Sequence, residues 1–234
     1  MRKYRVAEIF SSINGEAKRA GEPATFVRFA GCNLNCTYCD TRWAMENVNS
    51  FALVEKNTLL NIIKEKKIRN ITLTGGEPLL QPGIDELILD ILRDSFFRVE
   101  IETNGAVAIR PFKDFLRENA GKEGIDIRDR LCFTVDYKCP CSGMEDRMCM
   151  DNFEVTDNFD AVKFVVKDMD DLERMKEIAE TYDLCRKTVL YISPVFGGID
   201  PKDIVEYMLQ NNLNDVRLQL QLHKYIWDPD KRGV

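Results

Sequence analysis

The sequence Cys32-Asn-Leu-Asn-Cys36-Thr-Tyr-Cys39 places three thiols within eight residues. It directly follows residues 24–29, which have the composition of a β-strand. Soft thiolates at this density select zinc or an iron–sulfur cluster rather than a hard cation. A cluster held by three cysteines leaves one iron open for a substrate or cofactor, so the ligand count decides between the two kinds of site.

The alternative to a cluster is a set of buried or zinc-bound cysteines. A structural zinc site needs four ligands, and the fourth would have to come from elsewhere in the chain. The candidates are Cys132, Cys139, Cys141 and Cys149. None of them lies near the motif in sequence, which favours the three-cysteine iron–sulfur interpretation.

The strand that precedes the cysteines is one of a series. Segments rich in β-branched and apolar residues recur at residues 24–29, 70–74, 98–102, 131–135, 161–166, 189–192 and 216–220. Helical apolar spacing lies between several of them, at residues 59–63, 84–92 and 172–179. Strands that alternate with helices predict an α/β fold with a mostly parallel sheet and right-handed connections. Because these units are too few for a closed eight-stranded barrel, we expect a partial, incomplete β/α barrel.

Ligands bind at the carboxyl ends of the strands in such sheets. The residues in these positions are Gly31-Cys32, Gly75-Gly76-Glu77-Pro78, Thr103-Asn104-Gly105, Asp136-Tyr137-Lys138 and Ser193-Pro194. Adjacent glycines let a backbone approach a ligand closely, and a following carboxylate can accept a hydrogen bond from an ammonium group. Residues 121–129 and 139–151 are rich in charge, glycine and cysteine, and we predict loops there.

Composition limits the class of protein. The 234-residue chain has a formal net charge of −6 and a pI near 5.1. It has no run of lysine and arginine long enough to follow a phosphate backbone, so direct nucleic-acid binding is disfavoured. Residues 1–10 lack the apolar stretch of a signal peptide, and no apolar run of about 18 residues follows. We therefore expect a cytosolic protein whose eight cysteines are metal ligands, redox groups or small core residues rather than disulfides.

The cysteine motif, with Tyr38 before its last cysteine, resembles the signature of the radical S-adenosylmethionine (SAM) superfamily. The segment Thr74-Gly-Gly-Glu-Pro78 is similar to the Gly-Gly-Glu-Pro motif of that superfamily. Further motifs resemble the 7-carboxy-7-deazaguanine synthase family nearly from end to end, at residues 8–16, 26–33, 39–41, 102–105, 163–166, 193–196 and 219–224.

The resemblance implies a reaction and its cofactors. The expected substrate is 6-carboxy-5,6,7,8-tetrahydropterin, and the products are 7-carboxy-7-deazaguanine and ammonia, on the route to queuosine in tRNA or to other 7-deazapurines. A [4Fe–4S] cluster on Cys32, Cys36 and Cys39 cleaves SAM to a 5′-deoxyadenosyl radical. The radical takes a hydrogen atom from C6 of the pterin, and the hydrogen returns after the ring rearranges.

The resemblance also implies site residues, by matching position. The expected SAM site consists of Tyr38, Asp40, Gly76, Glu77, Asp136, Lys138 and Ser193. The expected substrate contacts are Ile13, Asn14, Gly15, Arg28, Thr74 and the chain's last residue, Val234. The planar fork of an arginine suits a carboxylate because it can bond both oxygens. The hydroxyl of Thr41 is expected to bind a Mg²⁺ that bridges to the substrate, with waters completing the coordination.

The expected organisation is a single radical SAM domain over residues 1–234, with the cluster loop at 31–41 and a C-terminal segment at 221–234 that closes the active site. The expected partners are an electron donor such as flavodoxin or ferredoxin and a second copy of the chain in a homodimer. Neither nucleic acid nor a membrane is an expected partner.

Two other functions compete with this one. A small activase that abstracts hydrogen from a partner protein's glycine shares the cysteine motif, but it does not account for residues 193–196 and 219–224. A non-catalytic iron–sulfur or zinc protein does not account for the motifs at the strand ends. Absorption and EPR spectra under anaerobic conditions, with added SAM, separate this second alternative from an enzyme.

Some conspicuous residues receive no function from the sequence. Cys132 and Cys185 lie in or beside apolar segments, where a free cysteine usually behaves as a small buried hydrophobe. A second metal at Cys139, Cys141 and Cys149 is a minor alternative, since short cysteine tracts predict metal binding loosely. His223 is the single histidine, and a lone histidine is more often structural than an acid or base.

We predict that alanine at Cys32, Cys36 or Cys39 abolishes cluster binding and turnover, because three thiolates are the minimum that hold the cluster with one iron free. Alanine at each of the other five cysteines should leave the cluster in place. Iron analysis and the absorption spectrum of each purified variant check this. Loss of about half the iron on changing Cys139 or Cys141 would instead establish a second cluster.

Overall fold

The computed structural model describes residues 2–45, 51–229 and 231–234. Within these ranges nine strands form one sheet: β1 (Lys3–Ile13), β2 (Pro23–Phe29), β3 (Ala52–Glu55), β4 (Asn70–Gly75), β5 (Arg98–Thr103), β6 (Leu131–Lys138), β7 (Ala161–Val166), β8 (Val189–Pro194) and β9 (Val216–Leu218). The α-helices of the same ranges are α1 (Lys56–Lys66), α2 (Ile84–Leu92), α3 (Arg110–Glu123), α4 (Asn152–Val155), α5 (Met169–Thr181), α6 (Leu184–Lys187), α7 (Pro201–Gln210) and α8 (His223–Ile226).

The strand order across the sheet is β3-β1-β2-β4-β5-β6-β7-β8-β9. From β2 to β9 neighbouring strands pair in parallel, whereas β1 pairs antiparallel with both β2 and β3. The sheet stays open, with β3 at one edge and β9 at the other. The predicted partial β/α barrel is therefore confirmed.

The parallel part of the sheet separates an apolar outer layer from an interior that carries many polar side chains. In β4 the buried Ile71 and Leu73 alternate with Thr72 and Thr74, because successive side chains of a strand point to opposite faces. Helices such as α2, with its buried Leu87, cover the apolar face. None of the helices in the described ranges combines the length and apolar character that a membrane crossing requires.

Strands β1 and β3 have no counterpart among the predicted strands. Most of β1 is only partly buried and lacks a regular apolar alternation, and Leu53 of β3 is 62% exposed at the sheet edge. The loop predicted at residues 121–129 is partly wrong, because residues 121–123 form the last turn of α3 and Gly124 caps it with a left-handed backbone. Residues 139–151 are irregular apart from short 3₁₀ helices at Pro140–Ser142 and Glu145–Arg147, as predicted.

Strand register brings functional side chains together across the interior face. The antiparallel pairing of β1 with β2 sets Glu8 opposite Arg28, just beyond an irregularity in β1 between Val6 and Glu8. The parallel pairing of β2 with β4 sets Arg28 beside Thr74. The sheet thereby lines up side chains that are far apart in sequence along the edge where ligands bind.

Candidate active site

A cavity of about 760 Å³ opens at the carboxyl ends of the parallel strands. It lies within the size range of ligand sites in proteins. All but two of the predicted site residues line it: Ile13, Gly15, Arg28, Cys32, Cys36, Tyr38, Cys39, Asp40, Thr41, Thr74, Gly76, Asp136, Lys138, Ser193 and Val234. The structure therefore gathers into one cavity residues that the sequence spreads over almost its whole length.

Asn14 and Glu77 do not line this cavity. The Asn14 side chain accepts a hydrogen bond from the Thr72 hydroxyl at 2.7 Å and is buried below the cavity. The Glu77 carboxylate is fully buried and accepts from the backbone N–H groups of Leu79 and Asn104 and from the hydroxyl of Thr103. Protein groups bind the Glu77 carboxylate and the Asn14 carbonyl oxygen, whereas Asn14 Nδ2 is buried without a hydrogen-bond partner among the described residues. The ligand contacts expected of these two residues stay predictions.

The start of the cysteine loop is clamped to the end of β4. The backbone N–H of Gly76 donates to the carbonyl of Phe29 at 3.0 Å, and that of Glu77 donates to the carbonyl of Gly31 at 2.9 Å. A Cβ atom at Gly76 would overlap the Gly31 carbonyl oxygen. Gly75, at φ +133°, has a backbone conformation that favours glycine. The paired glycines therefore set the position of Cys32 relative to β4.

Arg28 is held by its neighbours on β1. Its Nε donates to the Glu8 carboxylate at 2.7 Å, and its guanidinium lies 5.8 Å from the centroid of the Phe10 ring. Phe10 in turn stacks on Phe26, with ring centroids 4.8 Å apart. The bond to Glu8 uses Nε, and among the described residues neither terminal nitrogen of Arg28 has a hydrogen-bond partner, so both can meet a ligand carboxylate.

Alternating charges line the floor of the cavity. Asp136 lies between two lysines, with Lys138 Nζ at 2.6 Å and Lys163 Nζ at 3.2 Å from its carboxylate oxygens. Burial alone would raise the pKa of Asp136, but the two ammonium groups hold that pKa below its usual value. Lys163 also contacts the carboxylate of Glu16 at 2.7 Å.

A further carboxylate, that of Glu102, faces the same cavity. It accepts a hydrogen bond from the Thr74 hydroxyl at 2.8 Å. Burial raises the pKa of Glu102 to about 7, because the ionised form loses hydration there. Near neutral pH this side chain can therefore either donate or accept a hydrogen bond toward a ligand.

The end of the chain forms one wall of the cavity. Lys231, Arg232, Gly233 and Val234 all line it, and the guanidinium of Arg232 lies 4.2 Å from the centroid of the Trp43 ring. His223 also lines the cavity and packs so closely on Gly15 that a Cβ there would overlap its ring. Burial lowers the pKa of His223, so the imidazole is neutral at neutral pH.

Comparison with known proteins identifies the family. A model of the radical SAM superfamily matches residues 26–124. The 7-carboxy-7-deazaguanine synthase of Clostridium acetobutylicum is 49% identical over 99% of both chains, and that of Leptospira interrogans is 38% identical over 99% of this chain and 98% of the relative. This chain belongs to the 7-carboxy-7-deazaguanine synthase family. The crystal structure of QueE from Escherichia coli shares the fold, with a TM-score of 0.68, 22% identity and 94% coverage of each chain.

Membership of this radical SAM family implies a [4Fe–4S] cluster and SAM, and the cysteine loop fits the cluster. All three thiols line the cavity, and the Cys32 sulfur accepts from the backbone N–H of Leu34 at 3.4 Å and from the Asn104 amide at 3.3 Å. Such donors stabilise sulfur that carries negative charge. Burial raises the pKa of the Cys32 and Cys36 thiols, so cluster binding must release their protons.

In the described parts of the chain, no three cysteine, histidine or acidic side chains converge on one position for a single metal ion. A four-iron cluster sets a different requirement, because each thiolate binds a different iron and the sulfurs stay apart. The four-ligand zinc alternative, by contrast, needs such convergence. Neither that zinc site nor the minor second-metal site at Cys139, Cys141 and Cys149 is formed by the described residues.

Other features on the expected SAM side also fit a ligand. The hydroxyl of Tyr38 is buried and has no hydrogen-bond partner among the described residues, and Tyr38 lines the cavity. A buried polar group without a partner is costly, so a ligand group that pairs with it is favoured. Ser193, at the end of β8, is 2% exposed and lines the same cavity.

Sequence reasoning assigned no role to several cavity residues of this family member. Glu8, Glu102 and Lys163 lie within strands rather than after them, and attention to strand ends overlooks them. The available signal is a charged residue inside a short strand with apolar neighbours, as in Arg98-Val-Glu-Ile-Glu102. The sequence assigned no function to His223, and the structure places it in the cavity wall.

We predict that Gly76→Ala displaces the cysteine loop, because its new methyl group would overlap the backbone of Gly31. The purified variant should contain little iron after reconstitution and should unfold more easily than the wild type. Gly121→Ala is the matched control: Gly121 lies in α3 with nothing within 4 Å of a Cβ. Alanine there should retain all iron and add about 0.5–1 kcal/mol of stability. A wild-type iron content in Gly76→Ala would contradict the claim that Gly76 sets the position of the cysteine loop.

Proposed function

We propose that this chain is a 7-carboxy-7-deazaguanine synthase that converts 6-carboxy-5,6,7,8-tetrahydropterin into 7-carboxy-7-deazaguanine and ammonia. The observation that carries the proposal is that the three thiols of the radical SAM motif line the same cavity as Arg28, whose Nε is bound to Glu8. The proposal is supported by the similarity of this chain, over nearly its full length, to synthases from several organisms. The atoms of the substrate equal those of the two products, so the reaction needs no net oxidant or reductant.

When bound, the cluster and SAM supply the radical that removes the hydrogen atom from C6 of the pterin and later returns it. Cys32, Cys36 and Cys39 would hold the cluster. Tyr38, Asp40, Gly76, Asp136, Lys138 and Ser193 would line the SAM site, as their positions in the cavity support. A one-electron carrier such as flavodoxin or ferredoxin is the proposed electron donor.

Arg28 is the proposed partner of the substrate carboxylate. The hydrogen bond from Nε to Glu8 and the Phe10 ring restrict the guanidinium, so less freedom is lost when the carboxylate binds. Thr74 and Glu102 lie on the next two strands of the sheet and offer polar atoms to the pterin. Ile13, Gly15 and Val234 would complete the substrate site, as their positions in the cavity support.

Thr41 is the proposed Mg²⁺ ligand from the protein. It lines the cavity and precedes the 3₁₀ helix Arg42–Ala44, but its side chain makes no capping hydrogen bond to that helix. The nearest recorded partner of its hydroxyl is the sulfur of Cys39 at 3.7 Å, a weak contact. Because the Thr41 hydroxyl makes only this weak contact, its oxygen can serve as a ligand to a hard cation.

Residues 221–234 are proposed to close the active site within one domain. Lys224 lies 3.6 Å from the carboxylate of Asp40, which joins this segment to the cluster loop. A second connection is the guanidinium of Arg232 over the ring of Trp43, in the 3₁₀ helix that follows the cluster loop. Both contacts are electrostatic and partly exposed, so the segment can separate from the loop to admit substrate.

The test of the proposed function is turnover of 6-carboxy-5,6,7,8-tetrahydropterin by the anaerobically reconstituted enzyme with SAM and a chemical reductant. We expect 7-carboxy-7-deazaguanine and ammonia in equal amounts, identified by mass spectrometry, and none from the Cys36→Ala enzyme. An enzyme that cleaves SAM yet leaves the pterin unchanged would overturn the assignment of substrate while leaving the radical SAM chemistry intact.

We predict that Arg28→Lys raises the KM for the pterin by about 10- to 100-fold, which is the loss of one charged hydrogen bond. A single ammonium cannot reproduce a two-point grip on a carboxylate. Arg69→Lys is the control, an exposed arginine outside the cavity, and it should leave KM unchanged. Wild-type KM in Arg28→Lys would remove Arg28 from the substrate site.

We predict that Thr41→Val lowers Mg²⁺-stimulated turnover, because valine keeps the shape of threonine but lacks the oxygen ligand. The cluster spectrum and SAM cleavage should survive. Thr37→Val makes the same change on the same loop, at a hydroxyl that donates to the Cys141 carbonyl and lies outside the cavity lining. The control should respond to Mg²⁺ like the wild type. A Thr41→Val enzyme with the wild-type Mg²⁺ response would sink the metal assignment.

A further inference from the structure

Lys163 is a buried lysine whose two charged partners come from different parts of the site. Its Nζ lies 2.7 Å from Glu16 Oε1 and 3.2 Å from Asp136 Oδ1. Burial disfavours the ammonium, but the carboxylates of Asp136 and Glu16 hold the pKa of Lys163 well above its usual value. One positive charge is therefore shared between two carboxylates across the floor of the cavity.

The first partner, Glu16, belongs to the side of the cavity expected to bind the pterin. It directly follows Ile13 to Gly15, which line the cavity at the end of β1 apart from the buried Asn14. Its second oxygen accepts from the side chain of Gln221 at 3.5 Å. The next residue, Leu222, donates its backbone N–H to the Gly15 carbonyl. Glu16 thereby connects β7, the loop after β1 and the C-terminal segment.

The second partner, Asp136, belongs to the side expected to bind SAM. It lies on β6 directly opposite Lys163 in the parallel register, and its other oxygen accepts from Lys138 at 2.6 Å. Glu16 and Asp136 are far apart in sequence, and Lys163 contacts both. The single ammonium of Lys163 therefore bridges the two halves of the cavity.

A second buried lysine shows that this arrangement is not a general feature of the fold. Lys113 contacts Asp157 at 3.0 Å and also Asp160, and it donates to the Val155 carbonyl at 3.0 Å. Neither Lys113 nor any of these partners lines the cavity. Lys113 thus pairs charges within the outer layers, whereas every charged partner of Lys163 borders the ligand site.

We propose that Lys163 is a positioning residue that couples the two ligand sites, so that SAM and the pterin each bind more tightly in the presence of the other. The inference rests on the proposed function. A cationic ligand that binds beside Asp136 neutralises part of the negative charge of that carboxylate, which Lys163 neutralises in the absence of the ligand. Lys163 then interacts more strongly with Glu16 and orders the loop at residues 13–16, where the pterin binds. By thermodynamic linkage the effect is equal in both directions.

The test measures coupling rather than activity. The dissociation constant of 6-carboxy-5,6,7,8-tetrahydropterin is determined by anaerobic calorimetry on the reconstituted enzyme, with and without saturating SAM and with no reductant. We expect SAM to tighten pterin binding by about tenfold in the wild type, within the usual range of coupling between sites. In Lys163→Met the ratio should fall to about one.

Three further variants separate coupling from stability. Lys163→Arg keeps a positive charge and should restore part of the ratio. Lys113→Met removes a buried lysine outside the cavity and should lose stability but keep the wild-type ratio. Glu16→Gln cuts the bridge at its other end and should lose the ratio as Lys163→Met does, which preserves the test if the methionine variant does not fold.

Each outcome decides a separate point. A wild-type enzyme that binds SAM but not the pterin overturns the proposed function and the coupling with it. A wild type that binds both ligands independently overturns the coupling alone. An undiminished ratio in both Lys163→Met and Glu16→Gln assigns the coupling elsewhere and overturns the role of Lys163.

Discussion

The site depends on the close approach of two strand ends. Gly75 and Gly76 let the end of β4 lie against the backbone of residues 29–31, at a distance that no side chain would permit. Glu77 then turns inward, where the hydroxyl of Thr103 and the backbone N–H of Asn104 bind its carboxylate. Asn104 in turn donates to the sulfur of Cys32. Three neighbouring strands are thereby joined to the first cysteine, and the position of the proposed cluster follows from backbone packing.

The same open sheet allows charge in its interior. Parallel strands covered by helices usually carry apolar residues on both faces. Here the inner face carries carboxylates and ammonium groups, and ionised groups are costly to bury unless they are paired. Lys138 and Lys163 compensate Asp136 and Glu16, whereas Glu102 has a hydroxyl partner and a pKa raised to about 7 by burial. The incompletely compensated carboxylate faces the cavity, where a ligand can complete its hydrogen bonds.

Much of this architecture could be predicted from the sequence, and there are physical reasons why the remaining features could not. The parallel strands were predictable because their apolar residues meet helices, as Ile71 and Leu73 do. Strand β1 was not, because it is partly buried and departs from regular register between Val6 and Glu8. The cysteines and strand-end residues follow from local motifs, but Lys163 acquires its partners through the register of β6 with β7 and the fold of the loop after β1. Such contacts between distant segments leave no local pattern.

The directions of the Asn14 and Glu77 side chains also could not be predicted from local sequence. A motif tells which backbone lies near the ligand, but not which way each side chain points. Gly15 lines the cavity, whereas the side chain of its neighbour Asn14 accepts a hydrogen bond from the Thr72 hydroxyl. Asn14 and Gly15 lie beyond the last residue of β1, where the alternation of a strand no longer predicts the direction of a side chain.

The open sheet also explains why the end of the chain matters to the site. A closed barrel would surround its interior with strands, whereas this sheet ends at β9 and leaves one side of the cavity without a strand. The segment around α8 covers that side: Leu222 bonds to Gly15, and Lys224 pairs with Asp40. A wall held by a few polar contacts opens more readily than a strand paired along its length. The closure proposed for residues 221–234 therefore lies on the side of the cavity that the sheet leaves open.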